Sequence, residues 1–151
     1  MNHRITLLIA VLAVALVGVS PSHAAAKKKH PDYKTSYDVS LLPDPTQDVL
    51  NNVKDGCVGV TGKGTDKHAF TVPAAGKLIV SLVSPDPTNK GVMDWGLWLM
   101  DKDNIAIDHS DGLGANEQTT TTFKKKQSIV IQTCNISGQQ AGHIAILFKY
   151  A

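Results

Sequence analysis

The feature that most constrains this chain is a period near two, running from His68 to Tyr150 and broken only by turn residues. Successive side chains of a strand point to opposite faces, so this period puts every second residue on one surface. Residues 77–83 set Leu78, Val80 and Leu82 against Lys77, Ile79 and Ser81, and their β-branched and apolar types suit a pleated surface. Residues 95–100 are apolar on both faces, as an internal strand is. Residues 38–41, 57–60, 68–72, 105–108, 119–123, 128–134 and 142–150 read as further strands, separated by clusters rich in Pro, Gly, Asp and Asn. Only residues 44–50 suggest a helix, of a single turn, with Asp44 as N-cap and Pro45 in the first helical position. One Glu (Glu117) stands against twelve Asp, and Asp serves turns where Glu serves helices. About seven to nine short strands with regular turn signals predict an all-β chain: an antiparallel, jelly-roll-like β-sandwich.

The alternation also predicts the core. Leu78, Val80 and Leu82 share a face, as do Leu97 and Leu99, Ile105 and Ile107, Ile129 and Ile131, and Ile144, Ile146 and Phe148. In a two-sheet sandwich such rows meet in a layer roughly 10 Å thick. Trp95 falls on the Leu97 face, while Trp98 and Met100 fall on the opposite one.

The start of the chain is of another kind. Residues 5–19 are apolar or small apart from Thr6, Arg4 precedes them, and small residues with Pro21 follow. This layout predicts a secretory signal peptide over residues 1–26, with cleavage after Ala24 or Ala26 and a secreted or periplasmic product. Spanning a bilayer takes about 20 apolar residues, so no stable membrane span is expected after cleavage. Residues 27–35 are polar and irregular and read as a flexible leader, which leaves residues 36–151 as one domain. Without Arg4, fourteen Lys face thirteen Asp and Glu, a formal charge of about +1. Such a balance points to no nucleic-acid partner.

Cys57 and Cys134 are the only cysteines. In an exported chain they predict one disulfide, and a CxxC redox motif is absent. The loop is long enough that the bridge should contribute roughly 4 kcal/mol in the chain-entropy model.

In their order along the chain these elements resemble the bacterial pre-peptidase C-terminal domain, a small secreted sandwich. Ala69-Phe70-Thr71-Val72-Pro73-Ala74-Ala75-Gly76-Lys77-Leu78-Ile79-Val80-Ser81-Leu82 is similar to that family's F-x-V-P-A-G-x-x-L-x-V-x-L hairpin. Asp94-Trp95-Gly96-Leu97-Trp98-Leu99-Met100-Asp101 resembles its D-x-D-L-x-L-x-D strand, with Gly96 in place of the second Asp. Asp111-Gly112 followed by Glu117 is similar to its S-x-x-G…E segment, and Ser128-Ile129-Val130-Ile131-Gln132 lies where the family has G-x-Y-x-V-x-V. The likeness spans about residues 66–149, and residues 36–60 are an addition to it. It implies a jelly-roll-like fold and a module that accompanies secreted proteases, in some cases with Ca²⁺ or a matrix polymer bound. With no protease domain before the match, it implies here a module acting by itself.

Several residue groups invite chemistry. Asp94, Asp101, Asp103, Asp108 and Asp111 crowd the 94–111 hairpin, and hard-oxygen turn ligands suit Ca²⁺, although EF-hand spacing is missing. The competing reading is ordinary Asp turn chemistry. His109-Ser110-Asp111 holds triad residue types, but neighbours on a strand face opposite ways. His68, Cys134 and His143 offer copper-type ligands with no Met in or after the Cys134–His143 segment. Outward-facing Trp98 and Met100 would make a binding patch, unless residues 36–60 cover them. Lys124-Lys125-Lys126 reads as a solvated turn, and Asn135-Ile136-Ser137 fits the N-glycosylation pattern. The expectation is a non-catalytic secreted or periplasmic binding or accessory module, its partner a polymer, a protein or a cell-surface component. A protease inhibitor or stability factor and a small secreted hydrolase or metal enzyme are the alternatives.

Overall fold

The computed structural model describes residues 30–47, 54–57, 62–84, 93–114 and 116–151. The expected signal peptide, residues 58–60 of the expected strand at 57–60 and residues 48–50 of the helical turn at 44–50 lie outside them. Eight strands follow in order: β1 Tyr33–Ser40, β2 Thr65–Val72, β3 Gly76–Val83, β4 Asp94–Met100, β5 Ala106–Ser110, β6 Asn116–Phe123, β7 Gln127–Ser137 and β8 Ala141–Tyr150. They form two four-stranded sheets, β1-β8-β3-β6 and β2-β7-β4-β5, called here the first and second sheet. Every resolved ladder is antiparallel. The pairing is nested: β4 with β5, β3 with β6, β2 with β7, β1 with β8. A long two-stranded ribbon turning at residues 101–104 and rolled into two layers has this order, which is that of a jelly roll. Among the described residues no helix is long and apolar enough to cross a membrane.

The core is the meeting of the inward rows. Leu78, Val80 and Leu82 of β3, with Ile144, Ile146 and Phe148 of β8, face Trp95, Leu97 and Leu99 of β4 and Ile129 and Ile131 of β7. Each side chain buried this fully contributes about 1.5–3 kcal/mol relative to exposure. The open flank where β1 overlies β2 is closed by rings, Tyr37 stacking on His68 at 4.1 Å and Tyr33 leaning on Phe70 at 6.1 Å.

Two expectations need correction. The polar leader ends earlier, because Tyr33, Lys34 and Thr35 are part of β1 and pair with Phe148, Leu147 and Ile146. These residues are polar and exposed, so their ladder with β8, and not their pattern, holds them extended. Of the expected helical turn, residues 44–47 make a turn with Asp44 in the capping place: its Oδ1 accepts from the Thr46 amide at 3.1 Å and its carbonyl from the Gln47 amide. Ile105 and Ile107 are exposed and not core. The register between β4 and β5 shifts after Leu99: Asp108 opposes Leu99 and Ala106 opposes Met100. Ile107 is the extra residue of that bulge, and Ile105 belongs to the turn.

Candidate functional site

The outer face of the second sheet gathers Trp98 and Met100 from β4 with Val130, Cys134 and Ile136 from β7. Trp98 and Met100 do point away from the main core, as alternation requires, but they are buried, Trp98 fully. The Cys57–Cys134 disulfide, Cα atoms 5.8 Å apart, ties the 54–57 segment onto this face. Gln132 Nε2 donates to the Cys57 carbonyl at 3.3 Å, and the Ala106 amide donates to the Lys54 carbonyl at 2.9 Å. His109 stacks over the Trp98 indole, centroids 6.1 Å apart. The expected Trp98–Met100 binding patch is therefore a second, smaller core. Its indole lies back across Gly96, where a Cβ would stand 2.2 Å from Trp98 Cζ3. Gly96 is thus the residue the indole requires.

The five aspartates expected to share Ca²⁺ do not converge, and among the described residues no three His, Cys, Asp or Glu side chains form a metal-binding group. Asp101 serves its own turn. Its Oδ1 accepts from the Asp103 amide at 2.8 Å and from the Ile105 amide at 2.9 Å, and Asn104 takes the left-handed conformation that completes the loop. Asp103 pairs with Lys102 in solvent. Asp108 accepts from Thr121 Oγ1 at 2.6 Å, joining β5 to β6.

Asp94 and Asp111 instead meet Glu117 at the opposite end of β4. Glu117 is buried at the start of β6 and accepts hydrogen bonds from the Ser110 hydroxyl and, at 3.3 Å, from the Gly112 amide. Burial raises all three carboxyls above their usual range, and the negative neighbours raise Asp111 and Glu117 further. His109 offsets part of the rise at Asp111, and the two hydrogen bonds part of that at Glu117. Glu117 closes the β5–β6 connection, and the order Ser110-Asp111-Gly112 followed by Glu117 is its signal in the sequence. His109 and Ser110 face opposite ways, the first onto Trp98 and the second onto Glu117.

The copper-type residues are dispersed: Cys134 is in the disulfide, His68 is under Tyr37, and His143 Nδ1 lies 2.7 Å from Asp38 Oδ1. Burial, and then Asp66, push the Tyr37 phenol up. Asn135 is fully buried, Nδ2 donating to the Leu41 and Gln139 carbonyls at 2.8 Å each, so the folded chain does not present it as a glycosylation acceptor.

The outer face of the first sheet is open and holds a groove of about 650 Å³. Its floor is one row of small or polar side chains running across all four strands. Ser36 opposes Ala145, Ala145 opposes Ser81, and Ser81 opposes Gln118. Ser81 Oγ donates to Gln118 Oε1 at 3.1 Å. One wall is the row Lys34, Leu147 and Ile79, and the other is Asp38, His143 and Val83. Three strand spacings give the row a length of about 14 Å. A second hollow of about 430 Å³ shares His143 and continues along β1 and β8 past Asp38 and Ser40. Nothing local in the sequence signals this groove, because its floor comes from positions 36, 81, 118 and 145. No protein-family model matches the chain, and neither does any curated protein.

Proposed function

We propose that this chain is an exported, non-catalytic binding module that holds a polymer across the outer face of its first sheet. The observation that carries the reading is the transverse groove, a floor of Ser36, Ala145, Ser81 and Gln118 between two taller rows. Crossing the strands, it meets one side chain per strand at regular spacing, which suits a repeating ligand better than a compact one. Hydroxyl and amide groups on the floor supply hydrogen bonds without a buried charge. Export is supported by the signal-like residues 1–26 and by the disulfide. The likeness to pre-peptidase C-terminal domains supports an accessory role beside other secreted proteins.

Ala145→Trp tests the reading, because it fills the groove from a position already exposed. The wild-type chain is expected to co-sediment with the insoluble wall and matrix polymers of the producing organism. The variant is expected to stay in the supernatant while melting within about 2 °C of wild type. Equal sedimentation of the two proteins, or none by either, overturns the proposal.

A further inference from the structure

We infer that the polymer is a polyanion, an acidic polysaccharide whose carboxylate or sulfate groups meet a lysine field along one side of the groove. This rests on the groove reading and adds the chemistry of the ligand. The formal net charge of +2 conceals how the charges are placed. Beyond the Leu147–Ile79 wall the next row of the first sheet is Lys149 and Lys77, directly opposite each other on β8 and β3. Lys34, in the wall itself, is diagonal to Lys149. Lys124, Lys125 and Lys126 form the β6–β7 turn, just past the pair of Phe123 with Gly76. All six are exposed and lie at the same end of the sheet. Two acids lie near this face, Asp38 in the opposite wall against His143 and Asp32 just before β1, while Asp94, Asp111 and Glu117 sit at the other end.

Like charges directly opposite on neighbouring strands cost stability. The Lys77–Lys149 pair carries that cost with no compensating carboxylate, since among the described residues none lies within 4 Å of Lys34, Lys77, Lys149 or the three turn lysines. An anionic ligand would supply the missing counter-charge. The groove also discriminates among polyanions. Among the described residues its lining has no aromatic ring other than His143, and single-stranded nucleic acids need rings on which bases stack. Nor, among the described residues, does the lysine field expose a Trp, Phe or Leu side chain by which a surface inserts into lipid, Leu147 beside Lys34 being partly buried. A charged sugar chain needs neither: its hydroxyls match Ser36, Ser81 and Gln118, and its acid groups match the lysines.

The test measures binding of the intact oxidised chain to polygalacturonate and to heparin, with neutral dextran, anionic phospholipid vesicles and a single-stranded oligonucleotide alongside. Wild type is expected to bind the acidic polysaccharides, more weakly as salt rises, and to prefer them to the other three probes. Lys34→Gln/Lys77→Gln/Lys149→Gln should weaken binding by about tenfold or more, while Lys67→Gln on the second sheet should leave it within about twofold. Equal weakening by Lys67→Gln, or equal retention of vesicles or oligonucleotide, overturns the inference as mere cation exchange. If dextran binds as well, and Ala145→Trp abolishes binding but the triple variant does not, the charge inference fails and the groove reading stands. If no polymer binds and wild-type protein also fails to sediment with the organism's own polymers, both fail.

Discussion

The outer face of the second sheet carries Trp98, Met100, Cys134 and Ile136 beneath a disulfide-tied segment, whereas that of the first carries Ser36, Ala145, Ser81 and Gln118 open to solvent. The two sheets share one core and have the same number of strands, yet only one is covered on both sides. The difference lies in the strands themselves. β4 is apolar at every position from Trp95 to Met100, so both of its faces must leave water. β3 and β8 alternate strictly between buried and more exposed positions, so one face can stay wet. In this sandwich the covered outer face adds a second core to the fold, and the bare one adds none.

The comparison breaks most directly at Trp98. Trp98→Ala should cost roughly 3–5 kcal/mol by chemical denaturation, as removal of a buried indole does. A loss below about 1 kcal/mol would mean that the cover contributes little. Cys57→Ser/Cys134→Ser should cost roughly 4 kcal/mol, because the bridge closes a loop with a sequence separation of 77. Where the reduced chain stays folded, Trp98 emission should shift to the red as the 54–57 segment lifts, while Trp95 in the main core should not move. An unchanged spectrum would show that the cover holds without its bridge. Gly96→Ala should cost about 1–3 kcal/mol, since the added methyl collides with a fully buried ring that has nowhere to go. A neutral result would place the indole elsewhere.

The smallest effect concerns the acidic end. Folding raises the carboxyl pKa of Asp111, so its contribution is most favourable below the ordinary carboxylate range, near 4, and is lost as pH rises through the folded value. Asp94 and Glu117 shift the same way. Asp111→Asn removes that loss. It should raise the melting temperature at pH 7 by roughly 1–2 °C and have no effect near pH 3.5. Melting curves that coincide at pH 7, or that separate only in acid, would count against the cluster.

How much was legible before the structure follows from how far apart the cooperating residues are. The strands, the inward rows of β3, β4, β7 and β8, and the outward turn of Trp98 follow from period two within a few residues. The start of β1 was hidden because Tyr33, Lys34 and Thr35 have no apolar alternation. Ile105 and Ile107 looked like a core row because a bulge leaves no trace in composition. The Asp residues of 94–111 looked like one site because they are near in sequence, but a strand 7 residues long carries Asp94 and Asp101 to opposite ends. Glu117, six positions beyond Asp111, was the true companion, and only its place after Ser110 and Gly112 hinted at this.

Residue type and spacing alone determined that this chain makes short antiparallel strands, that they stack in two layers, and that two sulfurs are joined, since each depends on alternation or on a count of two. Which outer face is sealed and which is open, which carboxylates share an end, and that six lysines share a rim were decided only in three dimensions. Each of those depends on register between strands up to about a hundred residues apart, and a strand of the first sheet that slipped by one residue would turn its part of the groove floor into core.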